Sequence, residues 1–200
     1  MPGMLPQFPG PSRVDLTDNT GAVVSRSLSG KRFARLFGGH LWQMRIKYPP
    51  MTRDEFAPLM GFIASQQGEF GTFTVVVPHL AIPFGSWVGA PVVSGAISAG
   101  TAAVPLSGFT PNALGVAKSG DLIKFTNHNK VYMVTASVSA NAGGLATIVL
   151  NTPLVAPLAN AEIVIHNNVP LTVSLDGPVQ SYPVGKASMY RFDLNVIEAP

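Results

Sequence analysis

The chain has 200 residues, no cysteine and a formal net charge of +3. Charged residues make up 12% of the chain, and glycine and proline occur 20 and 18 times. This composition is typical of a turn-rich β protein with few charges, and the lack of cysteine excludes disulfides, thiolate zinc sites and thiol nucleophiles.

The first thirteen residues, MPGMLPQFPGPSR, contain four prolines and no basic segment followed by an apolar run. They predict an extended arm and no secretory signal. Basic residues then dominate the chain between Asp18 and Asp54, where no acid occurs. They are Arg26, Lys31, Arg32, Arg35, Arg45, Lys47 and Arg53. A nucleic-acid patch is one interpretation, but the small net charge favours a solvated or intersubunit sheet face, and we predict no specific nucleic-acid binding.

Residues 42–48 alternate between apolar and polar side chains, which predicts a half-buried strand. Trp42, Met44, Ile46 and Tyr48 form its apolar face, and Gln43, Arg45 and Lys47 form the other. Pro49 and Pro50 end it because neither can donate a hydrogen bond to a neighbouring strand.

A helix is predicted at residues 53–66 by a change to helical periodicity. Thr52 and Glu55 have the spacing of a capping box, and apolar residues follow at Phe56, Leu59, Met60 and Ile63. Pro58 lies inside this segment, so we expect an irregular or kinked first turn.

Strand character resumes at residues 70–77, and residues 84–167 contain short β runs between glycine-rich and asparagine-rich turns. Residues 190–196 alternate again and predict a strand that returns to the first sheet. The predicted fold class is therefore mainly β: a β-sandwich-like ring domain with one α-helix and an inserted small β-barrel or sandwich module. The ring domain is made of residues 1–83 and 168–200, and the inserted module of residues 84–167.

Charges are almost absent from the middle of the chain. Between Phe70 and Ala161 the charged residues are Lys118, Asp121, Lys124 and Lys130. Prolines divide this segment into pieces shorter than the ~20 residues that a spanning helix needs, so we predict no membrane segment. A surface with so few charges favours burial against other subunits.

The segment SGDLIKFTNHNKVYMVT, residues 119–135, has two alternating runs around a polar Asn-His-Asn-Lys turn. It predicts a β-hairpin with His128 at its tip and with Asp121 capping a turn. The four histidines have no paired spacing of the kind found in metal sites. The sequence thus predicts no catalytic residue, no cofactor and no metal, and no enzymatic activity.

A carbohydrate-binding module is a rival interpretation, because the inserted module contains aromatic residues that sugars could stack on. These are Phe84, Trp87, Phe109 and Tyr132. We favour core or interface positions for them, since aromatic side chains supply most of the burial in small β folds.

Two runs of sequence resemble known proteins: WQMRIKYPPMTRDEFAPLMGF with the following GEFGTF, and GDLIKFTNHNKVYMVT with the following ATIVLNTPLVAPLANAEIVIH. They are similar to tail-tip and baseplate proteins of tailed bacteriophages, most of all the distal tail protein group. The resemblance covers most of the chain from about residue 25 onward and rests on packing patterns.

This resemblance implies a structural protein of the virion tail, made in the host cytoplasm, that forms a homo-oligomeric, usually six-fold, hub ring. Such a ring joins the tail tube to the distal host-recognition apparatus, with tail tube, hub, fibre or wedge proteins as partners. A head-to-tail connector or a tail terminator remains an alternative. As candidate interface residues we select Trp42, Arg45, Lys47, Tyr48, Trp87, His128 and Tyr132.

Overall fold

The computed structural model describes residues 3–78, 80–178, 180–182 and 189–200. Over these residues the chain is mainly β with one α-helix, so the predicted fold class is confirmed. It divides into two compact units. The first comprises Met1–Phe73 and Val173–Glu198, and the second comprises Thr74–Thr172 and Ala199–Pro200. The predicted inserted module, residues 84–167, lies within the second unit.

The strands of the described residues are short except for two near the N-terminus. In chain order the elements are β1 (Gly3–Met4), β2 (Arg13–Arg26), β3 (Arg32–Lys47), α1 (Arg53–Ser65), a 3-10 turn (Gly68–Phe70), β4 (Thr72–Val76), β5 (Gly89–Val93), β6 (Ala103–Phe109), β7 (Leu122–Phe125), β8 (Val131–Met133), β9 (Ala146–Val149), β10 (Val164–Ile165), β11 (Pro170–Leu175) and β12 (Asp193–Glu198). The long strands β2 and β3 form one hairpin.

A six-stranded sheet has the strand order β1-β4-β11-β12-β3-β2. Its alternating strand β3 buries Met44 and Ile46, which lie opposite Val196 and Leu194 of β12. Directly opposed residues point to the same face of a sheet, so these four side chains form one apolar layer. Each buried aliphatic side chain of this kind contributes about 1.5–3 kcal/mol.

Helix α1 buries Phe56, Leu59 and Ile63 of the predicted apolar stripe, whereas Met60 is 39% exposed. The backbone N–H of Thr52 donates to Oε2 of Glu55 at 2.8 Å, which satisfies one of the amides that a helix start leaves unpaired. Pro58 lies inside the helix, and the helical segment nevertheless runs without a break from Arg53 to Ser65.

The second unit contains two three-stranded sheets, in the orders β10-β7-β8 and β5-β6-β9. Both contribute to one apolar core, in which Phe125 and Ile148 are fully buried. The strands of the described residues do not close into a barrel, so the sandwich-like form of the prediction fits and the barrel form does not. Among the helices of the described residues, none has the length and apolarity needed to cross a membrane.

Candidate interface and the buried polar network

The seven candidate interface residues fall into two groups that differ in exposure. Trp42, Tyr48, Trp87 and Tyr132 are buried inside a single chain, each with 6% or less of its surface exposed. Arg45 is exposed, and Lys47 and His128 are partly exposed. An interface residue must offer surface to its partner, so the four aromatic residues serve mainly the fold of one chain.

Two basic residues of β3, Arg45 and Lys47, are paired with acids on neighbouring strands of the sheet. Arg45 donates to Oδ2 of Asp193 on β12 at 2.7 Å, and Nζ of Lys47 lies 3.8 Å from a carboxylate oxygen of Asp15 on β2. Ion pairs at such exposed positions contribute at most about 1 kcal/mol. Because their charges are already paired, Arg45 and Lys47 are poor anchors for an anionic partner.

Tyr48 has an unusual environment for a tyrosine. Its ring is buried and stacks on Phe192 with 6.3 Å between ring centroids. Among the described residues its hydroxyl has no hydrogen-bond partner. Burial raises the pKa of Tyr48 to about 12, because the phenolate would lose its hydration. Burial of this hydroxyl therefore lowers the stability of the fold, and burial of the aromatic ring offsets the loss.

Asp121 is the centre of a buried hydrogen-bond network, although the sequence of its segment predicts only a hairpin with a capped turn. Its side chain accepts from the backbone N–H of Lys118 at 2.8 Å, as predicted for a turn cap. It also accepts from the N–H groups of Phe84 at 2.6 Å and Gly85 at 3.1 Å, and from Nε1 of Trp87 at 2.8 Å. The carboxylate thus ties residues 84–87 to the start of the hairpin.

Gly85 is part of this network for a steric reason. A Cβ atom at this position would lie 2.6 Å from the carbonyl oxygen of Val116 and 2.7 Å from Oδ2 of Asp121. Both distances are far below ordinary contact, so only glycine lets the backbone approach the carboxylate. All acceptor positions of Asp121 face the chain itself, which makes this residue structural.

The predicted hairpin is confirmed by the pairing of β7 with β8. At its tip, Nε2 of His128 lies 2.9 Å from the Tyr132 hydroxyl, and Nδ1 lies 2.5 Å from Oδ1 of Asn127. The backbone N–H of Val155 donates to the same hydroxyl at 3.0 Å. These contacts fit a neutral imidazole that donates through Nδ1 and accepts at Nε2.

Electrostatics favours this neutral form of His128. Burial lowers the pKa of its imidazole, nearby Lys124 lowers it further, and Glu162 acts in the opposite direction. His128 is thus a hydrogen-bonded part of the hairpin. His79, another of the four histidines, lies outside the described residues. Among the residues that are described, no three His, Asp or Glu side chains come together in a group that could hold a metal ion.

The aromatic residues considered for sugar binding are mostly internal. Trp87, Phe109 and Tyr132 are buried, and Phe84 is 66% exposed. A hollow of about 510 Å³ in the second unit is lined by small polar and aliphatic groups, including Ser94, Ser139, Asn141 and Thr147. None of its described lining residues is aromatic. The stacking platform typical of a sugar site is therefore missing from this hollow.

The most exposed feature of the first unit was not predicted from the sequence. Beyond a register shift between Thr20 and Ala22, β2 and β3 continue as a two-stranded ribbon, residues 22–36, which we call the distal ribbon. Its described side chains are exposed, among them Val24 at 47% and Leu36 at 71%. The Ser-Leu-Ser-Gly-Lys turn between two β-branched and aromatic runs is the signal that could have indicated it.

Comparison with known proteins gives one result for the second unit. Residues 81–169 match the family model described as "Distal tail protein pb9, B domain". A search of curated proteins finds no match to the chain. The match begins and ends close to the limits of the second unit, and the predicted resemblance to the distal tail protein group is confirmed.

Proposed function

We propose that this chain, a structural component of a bacteriophage tail, forms a closed homo-oligomeric ring at the tail tip. The ring joins the tail tube to the distal host-recognition apparatus, as the hub of the baseplate, and has no catalytic activity. The observation that carries the proposal is the distal tail protein B domain at residues 81–169. The chain is made in the host cytoplasm and reaches the virion by assembly.

The two predicted domains have different tasks in this proposal. The ring-forming domain, residues 1–83 and 168–200, contacts neighbouring copies through its sheet. The inserted module, residues 84–167, projects outward or contacts another tail protein. Its polar network around Asp121 supports this division, because a module whose hydrogen bonds are internally satisfied keeps its shape without help from the ring.

A backbone hydrogen bond supports a place at which the module can be removed. The backbone N–H of Asn168 donates to the carbonyl oxygen of Ala81 at 2.8 Å, so the two ends of the intervening segment are adjacent. A short glycine-serine linker can therefore replace residues 82–167 without stretching the chain.

Native mass spectrometry and light scattering test the ring. We expect the full chain to form a closed oligomer near six copies and the linker variant to form an oligomer of the same copy number. Circular dichroism of both proteins controls for folding. A full chain that stays monomeric at all accessible concentrations contradicts the ring, and a folded linker variant that is monomeric contradicts the division of tasks.

A further inference from the structure

The distal ribbon has one face that combines apolar side chains with unpaired positive charge. Cross-strand pairing places Ala22 opposite Leu36, Val24 opposite Ala34 and Arg26 opposite Arg32. Directly opposed and alternate residues share a face, so these six side chains lie together. We call them the ribbon face, and all six are exposed.

Among the described residues, no acidic side chain pairs with the two arginines of this face. Like charges directly opposite each other destabilise a strand pair, yet Arg26 and Arg32 are opposed at the outer end of the ribbon. Within the described part of the chain, neither arginine forms an ion pair. Such an arrangement favours association with an acidic partner surface.

A surface of the opposite character lies near the other edge of the same sheet. Phe70 is 87% exposed, and it follows the exposed Glu69 just before β4. The exposed Asp176 directly follows β11, which neighbours β4 in the sheet. A Cβ atom on Gly68 would lie 3.5 Å from the carbonyl oxygen of Pro178, so the two loops lie close together. We call Glu69, Phe70 and Asp176 the acidic loop surface.

We infer that the ribbon face of one copy binds the acidic loop surface of a second copy of this chain. Two carboxylates and an exposed phenylalanine complement two arginines beside a short apolar strip. The ribbon belongs to β2 and β3 at one edge of the sheet, and the loops adjoin β4 and β11 towards the other edge. Contacts between two different surfaces are heterologous, and a heterologous contact generates a ring when its rotation closes.

This inference rests on the proposed function and adds the residues through which copies recognise each other. The apolar residues of the ribbon face distinguish it from a nucleic-acid site, where phosphate contacts by basic and polar groups dominate. Ring closure buries Val24, Leu36 and Phe70 and neutralises the opposed arginines.

Charge reversal in the full-length protein tests the contact. One variant carries Arg26→Glu and Arg32→Glu, and a second carries Glu69→Lys and Asp176→Lys. We expect each variant alone to need at least about tenfold more protein for half-assembly, since like charges across an interface oppose association. An equimolar mixture restores assembly, because each ribbon then meets a loop surface of opposite charge.

Two controls keep the experiment decisive. Arg53→Glu with Arg191→Glu makes the same change in net charge as the ribbon variant, at exposed positions that belong to neither surface, and leaves assembly unchanged. Thermal unfolding confirms that the reversed variants fold. Assembly that survives reversal of the ribbon face, or a mixture that does not recover, overturns the inference while the ring stands. A wild-type protein that never assembles overturns the ring and the inference together.

Discussion

The chain contains two hairpins that use polar residues in opposite ways. The hairpin of β7 and β8 buries several polar groups, among them Asp121, which directly precedes β7, at 1% exposure and Tyr132 at 0%. The hairpin of β2 and β3 exposes its outer part on both faces, and Arg26 and Arg32 lie there without ion-pair partners among the described residues. Buried polar groups with partners specify a fold, whereas exposed apolar and charged groups without partners indicate a contact with another molecule.

The strongest test of this difference is removal of the Asp121 carboxylate. Asp121→Ala leaves the N–H groups of Phe84, Gly85 and Lys118 and the indole of Trp87 without their acceptor. We expect a loss of about 3–5 kcal/mol in the free energy of unfolding, because each unpaired buried donor is costly. Chemical denaturation followed by tryptophan fluorescence measures it.

Asp54→Ala is the matched control, since Asp54 is an exposed acid in the first turn of α1. It changes the free energy of unfolding by no more than about 1 kcal/mol, the size of a helix-dipole contribution. If Asp121→Ala loses no more than this control, the buried network does not stabilise the second unit.

A matched pair of valines compares the hairpins directly. Val134, which follows β8, is fully buried, and Val24 in the distal ribbon is 47% exposed. Valine and threonine have nearly the same shape, so Val→Thr mainly replaces a methyl group by a hydroxyl. We expect Val134→Thr to lower the free energy of unfolding by about 1–3 kcal/mol and Val24→Thr to change it by no more than about 0.5 kcal/mol. Thermal unfolding of both variants gives the values, and equal losses would mean that the ribbon is packed as tightly as the core.

Two tyrosine-to-phenylalanine substitutions extend the comparison to single buried hydroxyl groups. Tyr132→Phe removes a hydroxyl that contacts His128 and accepts from Val155, so we expect a loss of about 1–2 kcal/mol in the free energy of unfolding. Tyr48→Phe removes a buried hydroxyl without a partner among the described residues. It leaves stability unchanged or raises it by up to about 1 kcal/mol. Urea unfolding measures both variants. If Tyr48→Phe loses more free energy of unfolding than Tyr132→Phe, these hydrogen-bond assignments are wrong.

The smallest effect concerns pH and His128. Its pKa in the fold is lowered below the ordinary value of 6.5, mainly by burial. The unfolded chain therefore binds a proton first as pH falls, and the free energy of unfolding decreases from about pH 6.5 down to the lowered pKa. Proton NMR of the imidazole follows the titration directly.

His128→Asn isolates this contribution from the other histidines. Compared with the wild type, its free energy of unfolding has a weaker dependence on pH below 6.5. A wild-type imidazole that titrates at or above 6.5 would show that the hairpin tip is more open to solvent than the contacts with Asn127 and Tyr132 indicate.

Much of the architecture follows from local patterns in the sequence. The alternation from Trp42 to Tyr48, the capping box of Thr52 and Glu55, and the two runs around His128 each predict an element that the structure contains. Hydrophobic periodicity and helix capping depend on neighbours within a few residues along the chain, so they can be recognised in a single sequence.

Tertiary structure alone decided which of these residues are available to a partner. The sequence pattern around Trp42, Trp87 and Tyr132 fits a core position and an interface position equally well. Only the packing of distant strands shows that these residues belong to the core. The partners of Asp121 lie up to 37 residues away in the chain. The opposition of Arg26 and Arg32 depends on strand register. Burial, long-range hydrogen bonds and register arise from contacts between distant segments, so no local pattern specifies them.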